Sequence, residues 1–144
     1  MSKLIYIVRK EHFNAAHRLR RLDWSDEMNE EVFGKCSNRN WHGHNFNLIV
    51  TVKGIPSLET GFVINLTTLS KIIKSEVVDI FDHKNLNEDL PFFKDGLAST
   101  ENMAFVIWDL LYEPIKREGG DLAKIRLEET ENNFVEYYGG KEPF

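Results

Sequence analysis

Several features that would indicate other classes of protein are missing from this chain. It has a single cysteine, Cys36, so no intramolecular disulfide can form, and a reducing cytoplasm is the expected location. No apolar run is long enough to cross a bilayer, and residues 1–10 lack the long apolar core and small-residue cleavage site of a signal peptide. The net charge is −5, which argues against general nucleic-acid binding. We therefore expect a cytoplasmic protein that binds neither membranes nor nucleic acids.

Length and composition are those of one ordinary globular domain. The 144 residues are 42% hydrophobic and 28% charged, which suits a chain that folds around one hydrophobic core. No internal repeat, linker or low-complexity segment divides the sequence. We expect a single domain over residues 1–144.

The spacing of apolar residues predicts both strands and helices. Alternation typical of strands occurs in residues 3–17, 41–53, 124–130 and 134–138, and residues 62–64 form a short extended run. Helical spacing predicts a short helix over 25–33, a helix over 67–81, and another from Ser99 that Pro114 closes or kinks. The order β-β-α-α-β-β predicts an α+β domain in which an antiparallel sheet carries two helices on one face.

Three histidines fall where they could bind one metal ion. His42 and His44 lie on one face of the second strand, and residues two apart on a strand are roughly 7 Å apart at Cα. Read alone, they could equally be two surface histidines. His17 ends the first strand on its apolar face and is the obvious third ligand. Three histidines without a fourth ligand leave an open position, the pattern of catalytic zinc, whereas a structural zinc site would use Cys36 as its fourth ligand.

If Cys36 is not a ligand, its thiol is a candidate base or nucleophile. A thiol beside a cation and near a histidine can have a lowered pKa. Asp82 and His83 supply a carboxylate and an imidazole in one loop, although side chains adjacent in sequence need not touch. Glu129 follows the apolar face of its strand. It is either a carboxylate that points into solvent or a bidentate acceptor for a ligand with two neighbouring N–H donors.

Basic residues are concentrated near the Cys36–His44 stretch in sequence. Each of them could simply belong to a solvated face. As a group they could bind a small polyanion such as a phosphate chain. They are Arg18, Arg20, Arg21, Lys35 and Arg39.

Seven short motifs, in order along nearly the whole chain, give the sequence a family resemblance. They are His17-Arg18-Leu19, Val32-Phe33-Gly34-Lys35-Cys36, His42-Gly43-His44-Asn45, Asn65-Leu66-Thr67, Asp82-His83-Lys84-Asn85-Leu86, Ser99-Thr100-Glu101-Asn102 and Glu129-Thr130-Glu131-Asn132-Asn133. Together they resemble the 6-pyruvoyl-tetrahydropterin synthase family. Coincidence does not explain seven motifs in the right order.

The resemblance implies a role for each candidate residue. Cys36 would be the catalytic base, with Asp82 and His83 completing a proton-transfer triad. Glu129 would anchor the amino-pyrimidine edge of the pterin, in a pocket lined by residues 99–101, which include Thr100 and Glu101. The zinc ligands would be His17, His42 and His44.

The resemblance also implies a fold and an assembly. The family has the tunnelling fold, in which each subunit contributes a four-stranded antiparallel sheet with two helices packed on one face. Trimers close a barrel and two trimers stack into a homohexamer. Because active sites lie between subunits, Asp82 and His83 could serve the Cys36 of a neighbour.

The implied reaction is the zinc-dependent conversion of 7,8-dihydroneopterin triphosphate to 6-pyruvoyl-tetrahydropterin, with release of triphosphate. The five residues between Cys36 and His42 are typical of this branch, whereas the 6-carboxy-tetrahydropterin synthases of queuosine biosynthesis typically have three. That second branch is the main alternative. A non-catalytic zinc- and pterin-binding protein and a zinc-sensing domain, with Cys36 as a ligand, also remain open.

Overall fold

The chain folds into one sheet with helices on one face. The structure is a computed structural model that describes residues 3–141. The strands are β1 (Ile5–His17), β2 (His42–Gly54), β3 (Lys84–Asn85), β4 (Asp121–Glu128) and β5 (Phe134–Tyr137). The α-helices are α1 (Asp26–Phe33), α2 (Leu66–Ile73), α3 (Asp79–Phe81), α4 (Leu86–Asp89) and α5 (Thr100–Arg117). Turns of 3-10 helix follow at Gly34–Ser37 and Pro91–Phe93.

The sheet has five strands, one more than the sequence predicted. Their order is β3-β1-β2-β4-β5. The four long strands are antiparallel as expected, but β3 pairs with β1 in parallel through only two positions, Ala15↔Lys84 and Ala16↔Asn85. A two-residue strand has no sequence periodicity to reveal it. Residues 62–64, expected to be extended, instead follow a turn in which the Ser57 N–H donates to the Phe62 carbonyl.

The predicted alternation determines which face of the sheet is buried. On β2, the side chains of Phe46, Leu48, Val50 and Val52 are fully buried. They share one hydrophobic core with the apolar faces of α2 and α5. The helices therefore cover one face of the sheet, and burial of this apolar surface is the main force that stabilises the fold.

The helix predicted over residues 67–81 is present but is not uniform. Asn65 caps α2 by accepting the N–H groups of Thr67 and Thr68, and a π-helical turn over Lys74–Val78 then connects α2 to α3. The short helix predicted over 25–33 is α1, capped by Ser25.

Helix α5 begins as predicted, with Ser99 accepting the Asn102 N–H, but runs through Pro114 to Arg117. Neither α5 nor any other helix within residues 3–141 has the length and apolar character needed to cross a membrane.

A buried and an exposed leucine provide a matched test of the core. Leu111 on α5 is fully buried, so Leu111→Ala should lower the free energy of unfolding by about 2–5 kcal/mol through lost burial and a residual cavity. Leu58 is fully exposed, and Leu58→Ala should change it by less than about 0.5 kcal/mol. Urea denaturation at one fixed subunit concentration measures both. Equal effects would contradict this assignment of the core.

Candidate metal centre and active site

The pairing of β1 with β2 brings the three predicted histidines together. In the antiparallel register, His17 lies opposite His42, and Ala15 lies opposite His44. The three side chains are on the face that also carries Phe13 and Phe46. Their ring centroids are 4.5 Å apart for His17 and His42, 5.0 Å for His42 and His44, and 5.3 Å for His17 and His44.

Two buried ring nitrogens in this cluster are available to a metal ion. Nδ1 of His17 lies 2.7 Å from the Ala98 carbonyl oxygen, which can only accept, so Nδ1 carries the proton and Nε2 carries the lone pair. Nε2 of His17 and Nε2 of His44 are buried and make no well-aligned hydrogen bond among residues 3–141, although Oε1 of Glu129 lies 3.4 and 2.8 Å from them. Buried polar atoms without partners are costly, and coordination of a metal ion would satisfy both.

The local electrostatics favour the neutral imidazoles that metals require. Burial is the largest influence and lowers the pKa of both His42 and His44; the Glu129 carboxylate opposes this, and the neighbouring His17 imidazole lowers each pKa further. Both rings are therefore uncharged at neutral pH, which is the protonation state of a metal ligand.

Glu129 joins the histidine cluster, where the sequence had predicted only a substrate contact. Its Oε1 lies 2.8 Å from Nε2 of His44 and 3.4 Å from Nε2 of His17. Ligand atoms of these four residues all lie within 4.8 Å of one another, so the group could hold a metal ion. The signal for this position was the strand alternation, which puts Glu129 in phase with Ile125 and Leu127.

The second oxygen of Glu129 points to a neighbouring pocket. The Thr100 hydroxyl donates to Oε2 at 3.0 Å, and the adjacent His17 imidazole, the Thr100 hydroxyl and the His44 imidazole hold the pKa of Glu129 below its usual range despite burial. Strand β4 ends at Glu128, and the N–H of the next residue, Glu129, donates to the Asn133 carbonyl in the turn that follows. Glu129 therefore stays ionised between the imidazoles and the pocket.

That pocket brings together all three residues predicted to contact substrate, Thr100, Glu101 and Glu129. It has a volume of about 290 Å³, and Asn132 and Asn133 also line it. Carboxylate, amide and hydroxyl groups on one wall suit a planar heterocycle with several hydrogen-bonding groups.

Cys36 is held close to the end of β1. It lies in the 3-10 turn after α1 and is a half-buried free thiol. Its carbonyl accepts the N–H of Leu19 at 2.7 Å, two residues after His17. Nε of Arg18 donates to the Ser37 carbonyl, also at 2.7 Å. Two hydrogen bonds thus connect the turn that carries the thiol to the segment that follows His17.

Asp82 and His83 form the contact that their adjacency in sequence could not guarantee. Oδ2 of Asp82 lies 2.9 Å from Nδ1 of His83, and Oδ1 accepts the Asn14 N–H, the largest influence that lowers the pKa of Asp82. The His83 side chain is 83% exposed. Within the described residues, no hydrogen bond or ion pair joins this pair to Cys36.

Comparison with known proteins identifies the family of this chain. Residues 6–140 match the family model described as 6-pyruvoyl tetrahydropterin synthase. The chain belongs to this family. A relative from Poecilia reticulata named 6-pyruvoyl tetrahydrobiopterin synthase is 45% identical over 138 residues, which cover 96% of this chain and 92% of the relative.

Other members of the 6-pyruvoyl tetrahydropterin synthase family share the fold and part of the sequence. The structure of Caenorhabditis elegans 6-pyruvoyl tetrahydropterin synthase has a TM-score of 0.89 and 37% identity, covering 96% of this chain and 98% of that one. A Bacillus subtilis protein named 6-carboxy-5,6,7,8-tetrahydropterin synthase is 32% identical over 101 residues, 68% of this chain and 59% of the relative.

We expect metal binding to depend on the face of β1 from which a histidine projects. His17→Ala removes a ligand and should abolish stoichiometric metal binding. His12 is exposed and lies on the opposite face of the strand, so His12→Ala should leave it unchanged. Elemental analysis after dialysis against zinc measures both. Full metal content in the His17 variant would contradict the assignment of this centre.

Proposed function

We propose that the chain is a zinc-dependent lyase that converts 7,8-dihydroneopterin triphosphate to 6-pyruvoyl-tetrahydropterin and releases triphosphate. The observation that carries the proposal is the convergence of three imidazoles, with two buried Nε2 atoms that make no hydrogen bond in the described chain and lie close to the Glu129 carboxylate. A set of three histidines with an open position is typical of catalytic zinc. The name of the Poecilia reticulata relative supports the substrate class.

The histidine centre and the adjoining pocket would bind different parts of the substrate. Zinc held by His17, His42 and His44 would supply Lewis-acid polarisation of a substrate hydroxyl oxygen, which makes the neighbouring C–H more acidic. Glu129, whose pKa lies below its usual range and which is therefore ionised, would accept two N–H groups from the amino-pyrimidine edge. Thr100, which already donates to Glu129, would hold that carboxylate in position, and Glu101 lines the same pocket.

Cys36 is the group we assign to proton transfer. Its turn is fixed by the hydrogen bonds from Leu19 and Arg18, which keeps the thiol near the strand that carries His17. A base held at a fixed distance from the reacting carbon can remove and return a proton, and such catalysis typically contributes about 10²–10⁴-fold in rate. Asp82 orients the His83 imidazole through their 2.9 Å contact.

We further propose that Asp82 and His83 act on the Cys36 of a neighbouring subunit in a homohexamer. The His83 side chain is exposed and therefore available to a partner. Along the outer edge of β1, β3 pairs only with Ala15 and Ala16, and the rest of that edge has no strand beside it within residues 3–141. Exposed apolar side chains at one end of this edge, Leu4, Ile5, Tyr6 and Val8, favour pairing with another chain. Trimers would close a barrel through such edges, and two trimers would stack in the cytoplasm.

The function is tested by mass analysis of the products from zinc-loaded protein and 7,8-dihydroneopterin triphosphate. A pyruvoyl product with released triphosphate is the expected result. A carboxy product with acetaldehyde would move the chain to the branch of the Bacillus subtilis relative. Unchanged substrate with zinc in place would overturn the proposal and favour a binding protein.

We predict that two inactive variants restore each other's activity if the triad spans subunits. Cys36→Ala should keep zinc but lose about 10²–10⁴-fold in turnover, because the base is missing. His83→Ala should also be inactive. When both are co-expressed in equal amounts, about a quarter of the sites receive an intact Cys36 and an intact His83 from different chains.

Turnover per total subunit measures this recovery. The control is the same mixture made from separately purified, non-exchanging oligomers, which should stay inactive. Full activity of Cys36→Ala would contradict the triad, whereas inactive co-expressed oligomers would place the triad within one subunit.

A further inference from the structure

A basic cavity lies beside the candidate active site. Its volume is about 580 Å³. Four of the residues that line it are basic and only two, Asp26 and Glu30, are acidic. The basic residues are Arg18, Arg20, Lys35 and Arg39. We infer that this cavity, called here the arginine pocket, binds the triphosphate of the substrate. This inference rests on the proposed function.

The position of the arginine pocket suits the tail of a substrate whose other end is at the metal. Arg18 directly follows His17, and Lys35 directly precedes Cys36. The pocket therefore begins next to one metal ligand and next to the candidate base.

Arg20 is the residue most clearly poised for an anion. Nε of Arg20 is buried and has no hydrogen-bond partner in the part of the chain that the structure describes. Nη2 contacts Oδ1 of Asp26 at 3.2 Å. The backbone is fixed because the Arg20 N–H donates to the Gly96 carbonyl, and a Cβ at Gly96 would collide with the Arg20 carbonyl. Asp26 is therefore the partner of the Arg20 guanidinium that a phosphate would have to replace.

Arg18 is fixed equally firmly. The Asn87 side chain accepts the Arg18 N–H and donates to the Arg18 carbonyl, both at 2.9 Å. Nε of Arg18 is already used by the Ser37 carbonyl, and no hydrogen bond or ion pair within the described residues uses the Nη groups of this pocket-lining guanidinium. An arginine whose backbone and Nε are both held loses little freedom when it binds a phosphate.

Asp26 is the acidic partner of both Arg20 and Arg39 in this structure. Oδ2 of Asp26 contacts Nη2 of Arg39 at 3.4 Å, while Oδ1 contacts Arg20. The Asp26 and Arg39 side chains are mostly exposed, so this carboxylate binds them weakly. A triphosphate carries several times the charge of one carboxylate and offers bidentate geometry to each guanidinium. It would therefore replace Asp26 as the partner.

The neighbouring Arg21 does not belong to the pocket. Its guanidinium makes a bidentate contact with Asp23 at 2.8 and 2.9 Å and lies over the Trp24 ring. Arg20 and Arg21 carry the same charge at adjacent positions but face different partners. This pair gives a matched control, because Arg21→Gln changes the net charge by the same amount without touching the pocket.

The test is calorimetric titration of inorganic triphosphate into zinc-loaded protein, with the zinc content measured again afterwards. Arg20→Gln should weaken triphosphate binding about tenfold or more, and Arg21→Gln should weaken it less than about twofold. Arg39→Gln changes an exposed side chain and should weaken binding several-fold. Binding of 7,8-dihydroneopterin, which has no phosphate, should be the same in all variants.

Failure of this inference is distinguishable from failure of the proposed function. If Arg20→Gln and Arg21→Gln weaken triphosphate binding equally, or neither does, the arginine pocket is not the site, even if the wild-type protein makes the pyruvoyl product. If the wild-type protein makes no product but binds triphosphate in an Arg20-dependent way, the site stands and the reaction assigned above is wrong.

Discussion

The register between β1 and β2 is the constraint on which the candidate active site depends. The two strands pair over their full length, from Ile5↔Gly54 to His17↔His42. Phe13 and Phe46 face each other in this ladder and stack in the core at 5.2 Å, so a slip by one residue would put them on opposite faces and expose one of them. The same slip would send His17 and the His42–His44 pair to opposite faces. Burial of the core and assembly of the imidazoles are therefore one requirement, and neither can be met without the other.

The beginning of α5 connects the sheet to the helical layer at the site. Three consecutive residues have three separate tasks: the Ala98 carbonyl fixes the His17 ring, Ser99 caps the helix, and the Thr100 hydroxyl holds Glu129. Because α5 is anchored by fully buried side chains such as Met103 and Ile107, the position of these three residues is set by the core. Rigid packing several residues away thus determines the orientation of an imidazole and a carboxylate.

The sequence predicted the parts of the site that follow regular structure. Strand alternation was enough to put the three histidines on one buried face, because that face is dictated by hydrophobic burial. Strand alternation could not predict β3 or the contact between Asp82 and His83. Both depend on hydrogen bonds between Asn14 and residues almost seventy positions away in sequence. Nor could strand alternation tell Arg20 from Arg21, because both lie in irregular chain, where no period defines an inward face. Glu129 was expected to contact substrate, and its approach to the histidines emerges only from the pairing of β2 with β4.

Unfavourable features are concentrated at this end of the sheet. Trp41 and His83 are the non-glycine residues with positive φ in the described chain, at 56° and 59°, and each such residue costs on the order of 1–3 kcal/mol. Trp41 immediately precedes the metal-ligand candidate His42. His83 is held by Asn14, whose N–H donates to the Asp82 side chain and whose carbonyl accepts the His83 N–H. The unpartnered Nε2 atoms and the crowded arginines add to the cost. None of these features helps the chain to fold without ligands. A cation at the imidazoles would relieve the cost of the Nε2 atoms, and an anion would relieve the repulsion between the arginines. Ligands that bind only the folded state would then stabilise the part of the molecule that the hydrophobic core stabilises least.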